Sequence, residues 1–291
     1  MTSATLTGTT DAAIELLRRR PFVALTGAGV STDSGIPDYR GPGAPARRPM
    51  TYQEFVSGPT AQRRYWARSH VGWSRMTHAA PNDGHHALAR LAASGACDLL
   101  ITQNVDGLHE AAGTSPVVAL HGRIADVVCL GCHRRTARRE MHERMGVLNP
   151  GYRHRHAGAV ARPDGDVELD DTASFRVPGC TACGGALKPD VVFFGENVPK
   201  PRVLRCFDAV DTAQAMLVAG SSLTVMSGLR FVRRAAKRGI PVVIVNRGAT
   251  RGDDLATIKL DCGTSPFLSE LAGDAASLRR PADAAPDTAV R

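Results

Sequence analysis

Short apolar runs alternate with helical patterns along most of the chain. Runs that end at Gly-rich or polar turns are typical of buried strands, and they occur at Phe22–Thr26, Leu99–Thr102, Val117–Leu120, Val191–Phe194, Ala215–Ala219 and Val242–Val245. Apolar residues with helical spacing cover 12–20, 85–94 and 227–238. Strands that alternate with helices predict an α/β fold, a Rossmann-type parallel sheet with helices on both faces.

Two segments interrupt this alternation. Residues 43–80 are rich in Arg, Pro and aromatic side chains and are predicted to form a helical insertion. Residues 126–187 contain paired cysteines and a Gly/His/Arg-rich middle, which predicts a small zinc-binding domain that needs its metal to fold. The Rossmann-type domain is assigned to 12–42, 81–125 and 188–275, and the Ala/Pro/Asp-rich tail 276–291 is expected to be disordered.

The composition is that of an ordinary globular protein, with 291 residues, 43% hydrophobic and 22% charged. No apolar run approaches the roughly 20 residues that a membrane span needs, and residues 1–10 lack the basic and apolar regions of a secretory signal. A cytoplasmic location without membrane contact is therefore expected. The net charge of +8 suits acidic partners such as nucleotides or nucleic acid, although an Arg-rich solvated surface explains it equally well.

Four of the seven cysteines form two CxxC pairs, Cys129 with Cys132 and Cys180 with Cys183. In a reducing compartment this pattern favours a metal over disulfides, and four thiolates make a closed tetrahedral zinc site of the structural type. The separation of the pairs, residues 133–179, exceeds the about 15–20 residues of a zinc ribbon and implies an inserted loop. A redox role is less favoured because neither pair opens a helix after a strand.

A Gly-rich turn follows the first predicted strand. Gly27, Ala28 and Gly29 could let the backbone approach the pyrophosphate of a dinucleotide. Thr32 stands where the dehydrogenase fingerprint has its third glycine, so a plain structural turn is an equal alternative.

The loop that follows this turn contains Asp38, Tyr39 and Arg40 between Gly and Pro residues. An acid, an aromatic ring and a guanidinium in such a loop could close over a bound nucleotide as a lid.

Polar side chains also follow two further predicted strands. Gln103, Asn104 and Asp106 offer amide and carboxylate groups for ribose hydroxyls and a carboxamide, since ligands bind beyond the carboxyl ends of strands in open α/β sheets. An ordinary Asx-Gly turn is the alternative. His121, next to Gly122 at the next strand end, is positioned to act as a general base, although position alone distinguishes it among ten histidines.

Two later strand ends carry small or polar residues that could bind phosphate and the adenosine ribose. They are Gly220, Ser221 and Ser222 after one strand, and Asn246, Arg247 and Gly248 after another. Each group by itself is also an ordinary cap or turn.

The joint order of these motifs along the chain resembles the sirtuin family of NAD-dependent protein lysine deacylases, over about residues 12–272. Four segments look like the class II branch of that family: 65–68, 147–150, 163–167 and 188–196. The Arg/His-rich stretch 151–162 has no counterpart in the resemblance.

This resemblance implies NAD as co-substrate and one structural zinc ion. It implies that His121 is the catalytic base, that Asn104 assists catalysis, and that NAD lies along the turn residues already named, with Thr32, Val105 and the backbone around Cys262 added to the set. It further implies removal of acyl groups from protein lysine side chains, giving nicotinamide, O-acyl-ADP-ribose and free lysine.

The acyl-lysine peptide is expected to add as a strand beside 190–195, so that Val192, Phe194, Gly195 and Glu196 contact it. Mono-ADP-ribosyl transfer to protein through the same NAD site is the alternative function. A zinc-ribbon nucleic-acid binder, suggested by Arg134, Arg135, Arg138 and Arg139, leaves the strand-end polar residues unexplained, so a nucleic-acid partner is not expected.

Tyr65 and Arg68 are three residues apart and would share a helix face. Their spacing is similar to a pair that another sirtuin branch uses to bind acidic acyl groups, since Arg can hold a carboxylate with two hydrogen bonds. The hypothesis requires Arg68 to point into the cleft near His121. The alternative is a solvated helix with Trp66 packed inward.

Overall fold

A parallel sheet forms the centre of the protein in this computed structural model, which describes residues 8–38, 49–158, 167 and 169–273. The strands are β1 Phe22–Thr26, β2 Cys97–Thr102, β3 Val117–Ala119, β4 Gly122–Cys129, β5 Arg135–Ala137, β6 Leu187–Val191, β7 Ala215–Ala219, β8 Val242–Val245 and β9 Ile258–Leu260. Six of them form the central sheet in the order β3-β2-β1-β7-β8-β9, and each neighbouring pair is parallel. The predicted Rossmann-type sheet is confirmed.

Helices cover both faces of this sheet. They are α1 Thr10–Arg18, α2 Tyr52–Val56, α3 Pro59–His78, α4 Asp83–Ala93, α5 Leu108–Ala111, α6 Arg138–Leu148, α7 Tyr152–Arg155, α8 Lys200–Thr212, α9 Met226–Lys237 and α10 Thr264–Ala272. Alternate residues of β1 enter two separate apolar clusters: Ala24 packs with residues of α1, α4 and α10, and Leu25 packs with residues of α8 and α9. Burial on both faces explains why the strands read as continuous apolar runs.

The prediction that Val191–Phe194 is a strand of the parallel sheet is wrong. The strand is β6, Leu187–Val191, and it pairs with β4 in a separate antiparallel sheet of order β5-β4-β6. Residues 192–194 continue past the end of β6, where the Val192 amide donates to the His121 carbonyl oxygen at 2.8 Å. A short apolar run has the same sequence pattern whether it lies in a sheet core or along the wall of a cleft, and this one lines a cleft.

The helical insertion and the cysteine-bearing segment share one apolar core. Trp66 of α3 is fully buried, and its indole Nε1 donates to the Leu187 carbonyl oxygen of β6 at 2.8 Å. Phe55 and Tyr65 from the insertion pack in the same cluster as Cys129 and Cys180. The two additions to the sheet are therefore packed as one body.

Several predicted features lie outside the described residues, namely Tyr39, Arg40, the segment 159–166 and the tail 276–291. The first part of the Arg/His-rich stretch forms the short helix α7, whose Tyr152 is buried. Within the described ranges, no helix combines the length and the apolar character needed to cross a membrane.

Candidate active site

A deep cleft of about 400 Å³ opens at the carboxyl ends of the central strands. It lies where β1 is flanked by β2 on one side and β7 on the other, so the direction of chain progression across the sheet reverses there. Ligands of open α/β sheets bind at such a reversal point. The opposite wall of the cleft comes from Tyr65 of α3 and from the segment that follows β6.

The turn after β1 packs tightly against the turn after β7. The Gly29 amide donates to the Gly220 carbonyl oxygen at 2.9 Å, and a Cβ at Gly29 would lie 2.8 Å from the Gly220 Cα. Gly220 itself has φ of +63°, a left-handed conformation that favours glycine. The glycines therefore allow two strand-end turns to meet at the floor of the cleft, and the Gly29 amide is already used in that contact.

Ser31 connects the turn after β1 to the turn after β2. Its hydroxyl donates to Asp106 Oδ2 at 2.7 Å and accepts from Asn104 Nδ2 at 3.1 Å. Asn104 Nδ2 also donates to the Gly27 carbonyl oxygen at 3.1 Å. Burial raises the pKa of Asp106, against the hydrogen bonds from the Leu108 amide and from Ser31. These contacts hold an amide and a carboxyl group in set positions beside the glycine turn.

Gln103 joins the ends of β2 and β7. Its side-chain Nε2 donates to Ser221 Oγ at 2.7 Å, and its backbone carbonyl oxygen accepts from His121 Nδ1 at 2.9 Å. A carbonyl oxygen can only accept, so Nδ1 carries the ring proton and Nε2 keeps the lone pair. Burial lowers the pKa of His121 to about 4. The ring is therefore neutral near pH 7 and offers Nε2 as a proton acceptor in the cleft.

The four paired cysteines lie together at the far end of the antiparallel sheet. Their sulfur atoms all lie within 4.8 Å of one another, with Cys129 Sγ 3.5 Å from Cys183 Sγ and Cys132 Sγ 3.7 Å from Cys180 Sγ. A tetrahedral zinc site with Zn–S bonds of about 2.3 Å has sulfurs about 3.8 Å apart, so this donor set fits zinc.

Backbone amides support the thiolate form of two of these cysteines, Cys129 and Cys180. The amides of Cys132 and Gly131 point at Cys129 Sγ, and with them the pKa of the Cys129 thiol falls to about 6. Four sulfur ligands leave no open position for a water molecule, so such a zinc is structural. Arg138, counted in the sequence as part of a basic surface, is instead fully buried, with its guanidinium 4.8 Å from the ring centroids of Trp66 and Trp73.

Comparison with known proteins agrees with this geometry. A model of the Sir2 family matches residues 27–227. The chain belongs to the Sir2, or sirtuin, family. NAD-dependent protein deacetylase 1 of Mycobacterium avium is 52% identical over 268 residues, covering 91% of this chain and 95% of that one. The protein of the same name from Streptomyces coelicolor is 52% identical over 283 residues, covering 93% and 94%.

Solved sirtuin structures share the fold. One of them, described as Sir2 with a p53 peptide and NAD+, superposes with a TM-score of 0.73 and 30% identity, covering 91% of this chain and 97% of that one. The fold that the sequence resemblance implied is thereby confirmed.

The cleft of this sirtuin brings together most of the residues singled out from the sequence. Those that line it are Gly27, Ala28, Gly29, Asp38, Tyr65, Gln103, Asn104, Val105, Asp106, His121, Val192, Phe194, Gly195, Glu196, Gly220, Ser221, Ser222, Asn246 and Arg247. Thr32, Gly248 and Cys262 lie outside its lining. The Thr32 hydroxyl donates to the Gly29 carbonyl oxygen, and the Gly248 amide donates to Asp261, so these two support the turns from behind.

Arg68 does not reach the cleft, contrary to what the acidic-acyl hypothesis requires. Its Nε donates to the Leu169 carbonyl oxygen at 3.0 Å, while Tyr65 from the same helix does line the cleft. Residues three apart on a helix of 3.6 residues per turn are rotated by about 60° from each other, so one can meet the cleft while the other points away. The structure therefore gives Tyr65 no guanidinium partner in Arg68.

Sequence reasoning did not assign Ser31 or Ser227, although both contact predicted site residues. Ser31 falls inside the glycine motif, and its polar character in a buried turn was an available signal. Ser227 carried no such signal, since it lies near the start of α9 and its partner, His121, is 106 residues away in sequence.

Proposed function

We propose that this chain is an NAD-dependent protein lysine deacetylase. The observation that carries the proposal is His121, a half-buried, neutral imidazole whose Nε2 lone pair faces a cleft at the reversal point of a Rossmann-type sheet. The relatives that carry the name NAD-dependent protein deacetylase cover nearly the whole chain, which supports the same conclusion.

The residues of the cleft divide into two groups by the atoms they offer. Asn246, Ser222 and the turns around Ala28 and Gly220 supply hydrogen-bonding groups for the phosphates and adenosine of NAD. When bound, NAD supplies a ribose carbon whose bond to nicotinamide is already activated by the positive charge of the nicotinamide ring. Asn104 and Asp106, held by Ser31, orient the ligand at the nicotinamide end.

His121 accepts a proton from a ribose hydroxyl at its Nε2, after nicotinamide has departed. The Gln103 carbonyl oxygen fixes the tautomer that makes this possible, because it holds the proton on Nδ1. The acyl-lysine peptide adds along the segment after β6, which already forms main-chain hydrogen bonds with His121 and Tyr52 on the cleft wall.

We infer that the chain belongs to the class II branch, which four of its segments resemble, and that it is cytoplasmic, where a reducing environment would keep its paired cysteines available for a metal. The boundaries drawn from the sequence, with insertions at 43–80 and 126–187, describe its domains. Deacetylation is preferred over mono-ADP-ribosyl transfer because the relatives are named for it.

The test is His121→Ala with an acetyl-lysine peptide. Acyl release falls by orders of magnitude while NAD affinity, measured by calorimetry, stays within a few-fold of wild type, because the imidazole acts after the cofactor is bound. Asn104→Ala loses nicotinamide release, by the equivalent of about 1–3 kcal/mol for an unpaired buried partner. A His121→Ala protein that loses NAD affinity and acyl release by one common factor would overturn the base role. ADP-ribose found on protein instead of acetate would favour transfer.

A further inference from the structure

Ser227 is the hydrogen-bonding partner of the atom that the proposed reaction uses. It is the second residue of α9, and its Oγ lies 2.8 Å from His121 Nε2. Since Nδ1 donates its proton to the Gln103 carbonyl oxygen, Nε2 is the acceptor and the Ser227 hydroxyl is the donor. The imidazole is therefore held at both nitrogens, by one carbonyl and one hydroxyl.

Both partners of the ring are neutral, and the charged groups that face it are cations. Arg202 of α8 and Arg230 of α9 act on His121 as positive charges. The Gln103 backbone carbonyl favours the imidazolium only as a dipole, by accepting from Nδ1, which raises the pKa of His121 against the larger effect of burial. The orientation of the ring while its charge changes therefore depends on its two hydrogen bonds.

A hydroxyl has the property that this task needs. It donates to Nε2 while the imidazole is neutral, and after a half-turn of its O–H it accepts from Nε2–H once the ring has taken up a proton. A methyl group offers neither bond. Serine at this position can therefore keep the ring in one orientation before and after proton uptake.

The position of Ser227 is itself determined by close packing. A Cβ at Gly228, the next residue, would lie 2.6 Å from Gln103 Oε1, so the start of α9 lies directly against the turn that also holds His121. Serine near a helix start often caps backbone amides. Here, however, its hydroxyl bonds to a side chain from a distant part of the chain.

We propose that Ser227 is a positioning residue for His121, which keeps the imidazole oriented with Nε2 toward the substrate through both of its protonation states. The inference rests on the proposed base role of His121. In the proposed reaction the Ser227 hydroxyl would yield Nε2 to a ribose hydroxyl of bound NAD for the proton transfer, and it would then accept from Nε2–H while the ring carries that proton.

The experiment compares Ser227→Ala and Ser227→Thr with wild type and with His121→Ala. Two rates are measured: exchange of labelled nicotinamide into NAD in the presence of acetyl-peptide, and release of the acetylated ADP-ribose product. Only the second needs the base. Ser227→Ala lowers product release roughly tenfold or more, as expected when a reacting group loses its orientation, and leaves exchange and NAD affinity close to wild type.

Ser227→Thr, which keeps the hydroxyl, restores product release to within a few-fold of wild type. Thr212→Ala is the matched control, since it removes a hydroxyl from the neighbouring helix α8 where the partner is an intrahelical carbonyl. A readout independent of turnover is the ring ¹⁵N spectrum of the free protein. The Nε2 resonance of His121 moves in Ser227→Ala, while the Nδ1 resonance stays at its wild-type position.

Failure of the inference is distinguishable from failure of the base role. If Ser227→Ala releases product at the wild-type rate, or if exchange and product release fall by the same factor, Ser227 is no positioning residue. If His121→Ala itself keeps product release, the base role is wrong, and both conclusions fall together.

Discussion

Lys188 and Glu196 form a partly buried ion pair that closes the segment after β6, with 2.9 Å between Lys188 Nζ and Glu196 Oε2. The lysine is almost fully buried, and its ammonium lies 4.7 Å from the centroid of the Phe193 ring. Glu196 Oε2 also accepts from the Phe193 amide at 2.8 Å. The pair therefore holds the turn that forms the peptide side of the cleft.

Glu196→Gln should lower stability and weaken peptide binding. It removes the ion-pair partner of the buried Lys188 ammonium, which costs on the order of 3 kcal/mol in the free energy of unfolding. The KM for acetyl-peptide should rise several-fold while NAD affinity is retained, because the NAD turns lie on the other wall. Urea unfolding and steady-state kinetics measure both effects. Asp211→Asn, which breaks the exposed pair with Arg234, is the control and should stay near wild type.

On acidification the fold should lose stability at pH values well above those at which Asp and Glu side chains titrate. Burial lowers the pKa of His109 to about 3, whereas in the unfolded chain an imidazole titrates near 6.5. Between these values the unfolded state binds a proton that the folded state does not, so stability falls as pH falls from 6.5 toward 3. The neighbouring His85, lowered to about 4, acts in the same direction.

The check is urea unfolding at several pH values between 7.5 and 4.5, for wild type and His109→Gln. The variant should have a shallower slope by about 1.4 kcal/mol per pH unit below pH 6, since one titrating group is gone. His154→Gln, at an exposed position, serves as the control with the wild-type slope. Equal slopes for wild type and His109→Gln would contradict the assignment.

Cys180→Ser should lose the zinc and much of the soluble protein, because four-thiolate sites contribute directly to folding. Wild type should contain about one zinc per chain, measured by atomic absorption or a thiol-displacement assay. Cys97→Ala is the matched control, since Cys97 is buried in the core of the sheet and lies apart from the sulfur cluster. A metal-free preparation with full activity and wild-type stability would rule the site out.

Arg68→Met should leave the preference among acyl groups unchanged. The Arg68 side chain bonds to the Leu169 carbonyl oxygen, so its removal takes no cation away from the cleft. The ratio of turnover on acetyl-, succinyl- and glutaryl-lysine peptides measures the effect. Arg63→Met is a suitable comparison, since Arg63 of the same helix also bonds to a backbone oxygen, that of Ala173. A selective loss of succinyl and glutaryl turnover in Arg68→Met would restore the original hypothesis.

The sequence was informative where one local segment carries both the turn and its chemistry. The strand ends at Gly27, Asn104 and Ser221 could be predicted because an apolar run, a turn and polar side chains follow one another directly. The zinc cysteines were predictable for the same reason, since each CxxC pair supplies two ligands from one turn.

Features that depend on distant contacts could not be read in this way. The direction of Arg68 depends on Leu169, a hundred residues later in the chain. The hydroxyl of Ser227 becomes meaningful only once α9 lies against the turn of His121. The prediction that Val191–Phe194 is a strand of the parallel sheet was wrong because a cleft wall and a sheet core are both lined by apolar residues.

The shared core of the two insertions has a consequence for how zinc affects the enzyme. Tyr65 and Phe193, which line the acyl-lysine side of the cleft, pack in the same apolar cluster as the zinc ligands Cys129 and Cys180. The nucleotide turns are anchored instead to the strands of the parallel sheet. Gradual withdrawal of zinc would therefore weaken binding of the acylated protein substrate before it weakened binding of NAD.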